Sequence, residues 1–177
     1  MELKIPQSLK LEHEALHELL REAMCEPGEL GKVAKSLGKL MHLHFVKEQK
    51  YALPPLGLLA ALTQGDISGD MSHVLAMTER LRIELPGMLN EHKAIIAALA
   101  KFTDAATAAG KSRYADFAGR LTLHARIEEE VSYPAALLVG EYLRRVLAAP
   151  LTRGGPGDAV EHPAAADYNL SIGHGTW

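Results

Sequence analysis

One pattern occurs twice in this chain, and it limits the possible folds more than any other feature. EHEAL at Glu12–Leu16 precedes HFVKEQKYALP at His44–Pro54, and EHKAI at Glu91–Ile95 precedes HARIEEEVSYP at His124–Pro134. His13 and His44 are 31 positions apart, and His92 and His124 are 32 apart. In each half the later histidine is followed by a glutamate four residues on, and that glutamate by a proline six further. Coincidence at so many matched positions marks an internal repeat. Four residues is about one helical turn. His44 with Glu48, and His124 with Glu128, therefore each share a helix face as a nitrogen and oxygen pair.

The residues around the repeat have the period of α-helices, and no segment sustains the alternation of a strand. Four long amphipathic helices are expected, over about Pro6–Met24, Leu30–Leu53, Ser72–Gly110 and Ser112–Leu147. Pro86-Gly87 should kink or restart the third, and Pro134 should kink the fourth, because proline removes a backbone donor. The connector LGLLAALTQGDISGD has room for a short helix before the Gly65–Asp70 turn cluster. Long helices with short connections predict an all-α, up-down-up-down four-helix bundle over residues 1–149. From Pro150 the sequence RGGPGDAVEHPAAADYNLSIGHGTW reads as an irregular, Gly/Pro-rich C-terminal tail, 150–177, whose Tyr168, Leu170, Ile172 and Trp177 could dock on the body.

Composition narrows the class. A chain of 177 residues, 47% apolar and 23% charged, can bury one sizeable core and is not intrinsically disordered over its bulk. A net charge of −3 argues against a nucleic-acid partner, which selects for a basic stripe. The single cysteine, Cys25, cannot close an internal disulfide and suits a reducing compartment. The N-terminus lacks the apolar stretch of a signal peptide, and the longest apolar run, LPPLGLLAAL, is too short to cross a bilayer. A cytoplasmic protein with no membrane partner is expected.

Helix geometry indicates what the repeat is for. At about 1.5 Å per residue, His13 and His44 come level across their hairpin to within about a turn, as do His92 and His124. All six repeated side chains fall on the apolar stripes, among Leu9, Leu16, Leu40, Leu99 and Leu121. Burying two carboxylates without partners would cost several kcal/mol each, and a metal pair offsets that cost. His13, His44, Glu48, His92, His124 and Glu128 are accordingly the expected metal ligands. Four imidazoles and two carboxylates suit Fe, Mn or Zn rather than Ca or Mg, and are too many for one tetrahedral zinc. They suit two ions bridged by carboxylate, with open positions left over. Tyr51, seven residues after His44, is a weaker candidate for an extra phenolate ligand. His42, His73, His162 and His174 are assigned no metal role, and His17, one turn from His13, reads as a spare ligand or as a hydrogen-bonding group behind one. Glu12 and Glu91 read as solvated residues, or as hydrogen-bond partners of a ligand imidazole.

These residues resemble the hemerythrin-like HHE cation-binding family, whose pattern is His on the first helix, HxxxE on the second, His on the third and HxxxE on the fourth. The resemblance covers about residues 8 to 145. It implies a bundle around a non-haem di-iron centre that binds dioxygen, peroxide or nitric oxide, in carriers, sensors and reactive proteins alike. Respiratory members carry a further His one turn after the third-helix His, where this chain has Ile96. That departure leaves a ligand position open and argues against simple oxygen carriage. An iron- or oxygen-sensing or iron-handling module without turnover is the alternative. A competing motif, HEALH at His13–His17, matches the HExxH pattern of zinc hydrolases, but those enzymes also need a third ligand and a substrate-aligning strand.

Overall fold

The computed structural model describes residues 3–67 and 71–148. The tail expected over 150–177, with His162 and His174, lies outside the described residues, as do Ser68, Gly69 and Asp70 of the expected turn cluster. The described chain is an all-α bundle without strands. Its helices are α1 (Gln7–Met24), α2 (Gly28–Lys47), α3 (Leu59–Thr63), α4 (Ser72–Ala108), α5 (Ser112–Ile127) and α6 (Tyr133–Ala148). A π turn, Glu48–Ala52, follows α2, and a 3-10 turn, Pro54–Leu58, leads into α3. A second π turn, Glu128–Ser132, joins α5 to α6.

Glycine closes the hairpins. Gly110 has φ 66°, and behind it the Lys111 amide bonds to the Ala106 carbonyl at 2.9 Å and the Gly110 amide to Thr107 at 3.0 Å. That paired arrangement ends α4 by satisfying carbonyls that have no helical partner, and its left-handed residue favours glycine.

α4 runs unbroken through Pro86, where a kink or restart was expected. Pro86 and Gly87 are exposed, while Leu81 and Met88 on either side are fully buried. The carbonyl that loses its donor is that of Arg82, also exposed, so water can take the place of the missing amide. Packing of the buried face then holds the helix together.

The core is layered along the bundle. One cluster contains Leu16, Leu20, Leu37, Met41, Phe45, Ile95, Leu99, Phe102, Phe117 and Leu121. A second contains Tyr51, Leu53, Leu56, Leu81, Met88, Tyr133 and Ala136. Each fully buried aliphatic or aromatic side chain contributes about 1.5–3 kcal/mol of transfer free energy. Of the leucines expected to line the site, Leu16, Leu99 and Leu121 are buried and Leu9 is half-buried, but Leu40 is exposed. Leu37 and Met41 take the inward positions on that part of α2, and Leu40 falls off their face.

Candidate metal centre

Between the two apolar clusters each long helix contributes polar residues. On α1, His13 lies between Leu9 and Leu16. His44 on α2 and Glu48 at the start of the π turn that follows lie between Met41 and Tyr51. On α4, His92 lies between Met88 and Ile95, and His124 on α5 and Glu128 at the start of the second π turn follow Leu121. All six are buried, none exposing more than 4% of its surface. The structure thus brings all six expected ligands into one buried layer.

Within the layer the imidazoles pair across the two halves of the sequence. The His13 and His124 rings are 4.7 Å apart, and those of His44 and His92 are 4.4 Å apart. The donor atoms form two groups that can each hold a metal ion: His44, Glu48, His92 and Glu128, and His13, His124 and Glu128. Glu128 belongs to both. Its Oε2 lies 3.3 Å from His92 Nε2, while its Oε1 lies 3.1 Å from His124 Nε2 and 3.4 Å from His13 Nε2. Glu48 Oε1 is 2.8 Å from His44 Nε2.

The outward nitrogens face a ring of partly exposed carboxylates. His44 Nδ1 donates to Glu91 Oε2 and His92 Nδ1 to Glu129 Oε1, both at 2.9 Å, and His124 Nδ1 lies 3.4 Å from Glu12 Oε1. Lys47 in turn donates to Glu91. Of the two roles considered for Glu12 and Glu91, that of partner to a ligand imidazole is the one seen. Each partners the later histidine of the other half. Such partners fix ring orientation, leaving Nε2 free for a metal. His13 has no corresponding partner: Gln49 stands in the repeat where the second half has Glu129.

Tyr51 packs in the apolar cluster with Leu53, Leu56, Leu81 and Met88. Its hydroxyl is buried without a hydrogen-bond partner, and burial with the nearby Glu84 carboxylate pushes its pKa up to about 12. The phenol at the site is Tyr133, which sequence reasoning missed. Its Oη donates to Glu48 Oε1 at 2.8 Å and lies 3.3 Å from His44 Nε2, 3.4 Å from His92 Nε2 and 3.4 Å from Glu128 Oε2. The π turns explain the substitution of one tyrosine for the other. The Leu53 amide bonds to the Glu48 carbonyl at 2.9 Å, and the Tyr133 amide bonds to the Glu128 carbonyl, five residues back in each case. The proline that follows cannot donate and crowds the carbonyl four residues before it, and the wider turn relieves both problems. Residues five apart, which diverge on an α-helix, are thereby brought to one side. Tyr133 consequently joins Glu128 at the site, and its counterpart Leu53 makes the other side apolar. The signal was the proline at the same place in both halves.

The electrostatics push the two carboxyls apart. Burial and the neighbouring Glu128 charge raise the pKa of Glu48. Burial also raises that of Glu128, but the imidazoles of His124, His13 and His92 outweigh it and hold that carboxyl well below its usual range. Burial would lower His44, yet Glu48 and then Glu91 raise it to about 9. Tyr133 is pushed upward by burial and by both carboxylates, which keeps the phenol protonated without a cation.

The layer fits a metal by its own unmet bonding. Five buried side-chain polar atoms among the described residues lack a hydrogen-bond partner, and four of them are His13 Nε2, His124 Nε2, Glu48 Oε2 and Glu128 Oε1. Orphaned atoms are costly, and these are all cation ligands by type. The HEALH motif does not assemble: Glu14 and His17 are exposed, neither is in a donor group, and the His17 ring stacks 3.9 Å from Phe45. His42 and His73 are also exposed and outside both groups. A cavity of about 300 Å³ adjoins His13, with Gln49, Leu53 and His17 in its wall. No helix among the described residues is long and apolar enough to cross a membrane. No protein-family model, no curated protein and no solved structure matches the chain.

Proposed function

We propose that this chain is a hemerythrin-like protein that holds two irons in its buried His/Glu layer and binds or reacts with dioxygen, peroxide or nitric oxide. The observation that carries this is Glu128, whose two oxygens face different histidines and belong to different donor groups. One carboxylate shared in that way suits a bridged pair of ions. Imidazole and carboxylate donors are compatible with iron, manganese and zinc, and iron is the ion that suits small oxidants. A bound iron pair supplies electrons to such molecules and positions where they bind.

The residues define an asymmetric centre. His44, Glu48, His92 and Glu128 offer four donors on one side, and Tyr133, with its hydroxyl among all four, adds a phenolate once a cation has displaced its proton. His13, His124 and Glu128 offer three donors on the other side, next to the cavity beside His13. A small molecule therefore enters on the His13 side, where Leu53 rather than a second phenol faces the layer. The apolar clusters above and below exclude bulk water, and Glu12, Glu91 and Glu129 hold the imidazoles in orientation.

The test is anaerobic loading with ferrous iron, followed by mixing with aerated buffer or hydrogen peroxide while the visible spectrum is recorded. A spectral change that His13→Ala abolishes supports the proposal. An unchanged spectrum in the iron-loaded protein overturns it.

A further inference from the structure

A second concavity lies between α1 and α2, on the outside of the bundle, with Phe45 between it and His13. It has a volume of about 690 Å³, within the range of small-molecule sites. Its floor is apolar, formed by Leu20, Met24, Met41 and Phe45. Two methionines give that floor an adaptable surface. Gly38 also lines it, and a Cβ there would press on Met24 Sδ at 3.0 Å.

The permanent charges of the rim, on Arg21, Lys35 and Lys39, are of one sign. Arg21 and His17 stand on the α1 side and Lys35, Lys39 and His42 on the α2 side, and no carboxylate residue lines the groove. Arg21 pairs with Glu18, which is outside the lining. In a chain of net charge −3, a lining with three permanent cations and no acid is a local reversal of sign. Lys35 and Lys39 are one helical turn apart, so their charges converge along one edge. A neutral apolar ligand would leave that edge unused, and an inorganic anion would leave the floor unused.

We propose that this groove binds a single-chain amphiphile with an anionic head, of the fatty-acid carboxylate class. The chain lies on Leu20, Met24, Met41 and Phe45, and the carboxylate is held by Lys35 and Lys39. The site does not depend on the metal centre. The two adjoin at Phe45, whose ring centroid lies 5.3 Å from that of His13, and at His17 and Arg21, which also line the cavity beside His13.

Isothermal titration of the full chain with dodecanoate below its micelle concentration tests this, alongside dodecyltrimethylammonium of the same chain length. The expected result is one saturable dodecanoate site per chain and no binding of the cationic amphiphile. The K35E/K39E double variant, which changes only exposed side chains, should bind at least about tenfold more weakly. Gly38→Leu, which fills the floor, should also weaken binding, while circular dichroism reports that both variants are folded. Absence of dodecanoate binding overturns the proposal, as does equal binding of the cationic amphiphile or unchanged affinity in K35E/K39E. Saturable binding of an acidic amphipathic peptide that dodecanoate cannot displace would also overturn it, because the groove would then be a protein-docking surface.

Discussion

If Glu128 is shared between two metal positions and Glu48 serves one, replacing each by its isosteric amide must give different outcomes. Glu128→Gln removes an anionic donor from both groups and leaves His13 and His124 with two neutral nitrogens. Glu48→Gln weakens only the group of His44, His92 and Glu128. Even lost outer contacts cost metal sites about 10–100-fold in affinity, so loss of a charged ligand exceeds that. A metal present at about 100 times its dissociation constant stabilises the folded state by roughly 2.7 kcal/mol per site. For a chain of this size that raises Tm by roughly 5–10 °C per site. The unaltered protein should thus gain roughly 10–20 °C on loading, Glu48→Gln about half of that, and Glu128→Gln almost nothing. Thermal melts with and without a chelator, with metal per chain measured on the same samples, read this directly. Equal loss in the two variants would refute the shared-carboxylate geometry.

Three further outcomes follow from the same site. Tyr133→Phe should keep the metal but lose a phenolate-to-metal band in the visible spectrum, and Tyr51→Phe should leave the spectrum unchanged. His17→Ala should retain full metal content, since its ring is exposed and only stacks on Phe45; metal analysis of the variant checks this. In chelator-stripped protein, His44 is raised from 6.5 to about 9, so its contribution to stability is complete below pH 6.5 and is lost as pH rises through about 9. The loss amounts to at most about 3 kcal/mol, measured by urea unfolding across that range. Metal-loaded protein should not show it, because its ligand nitrogens are already deprotonated.

Much of the layer was legible because repetition and helical period act together. His13, His44, Glu48, His92, His124 and Glu128 each recur at matched intervals on an apolar stripe, and the fold buries all six. Tyr133 was illegible for a local reason. Period 3.6 assigns Tyr51 to the face of His44, whereas the π turns before Pro54 and Pro134 re-phase the helix just past each glutamate. The cross-half pairing of Glu12 with His124 and of Glu91 with His44 depends on helix packing, which periodicity within one helix does not encode. A kink or restart at Pro86 is expected because its missing hydrogen bond is visible in the sequence, while the exposure that makes the loss tolerable is not.

The most direct test of the central claim is the metal content of the freshly purified full chain, determined by mass spectrometry together with its visible spectrum in air and after reduction. The account predicts two irons per chain and an absorbance that changes on reduction. One colourless zinc per chain, or no metal after loading with ferrous iron, would contradict it.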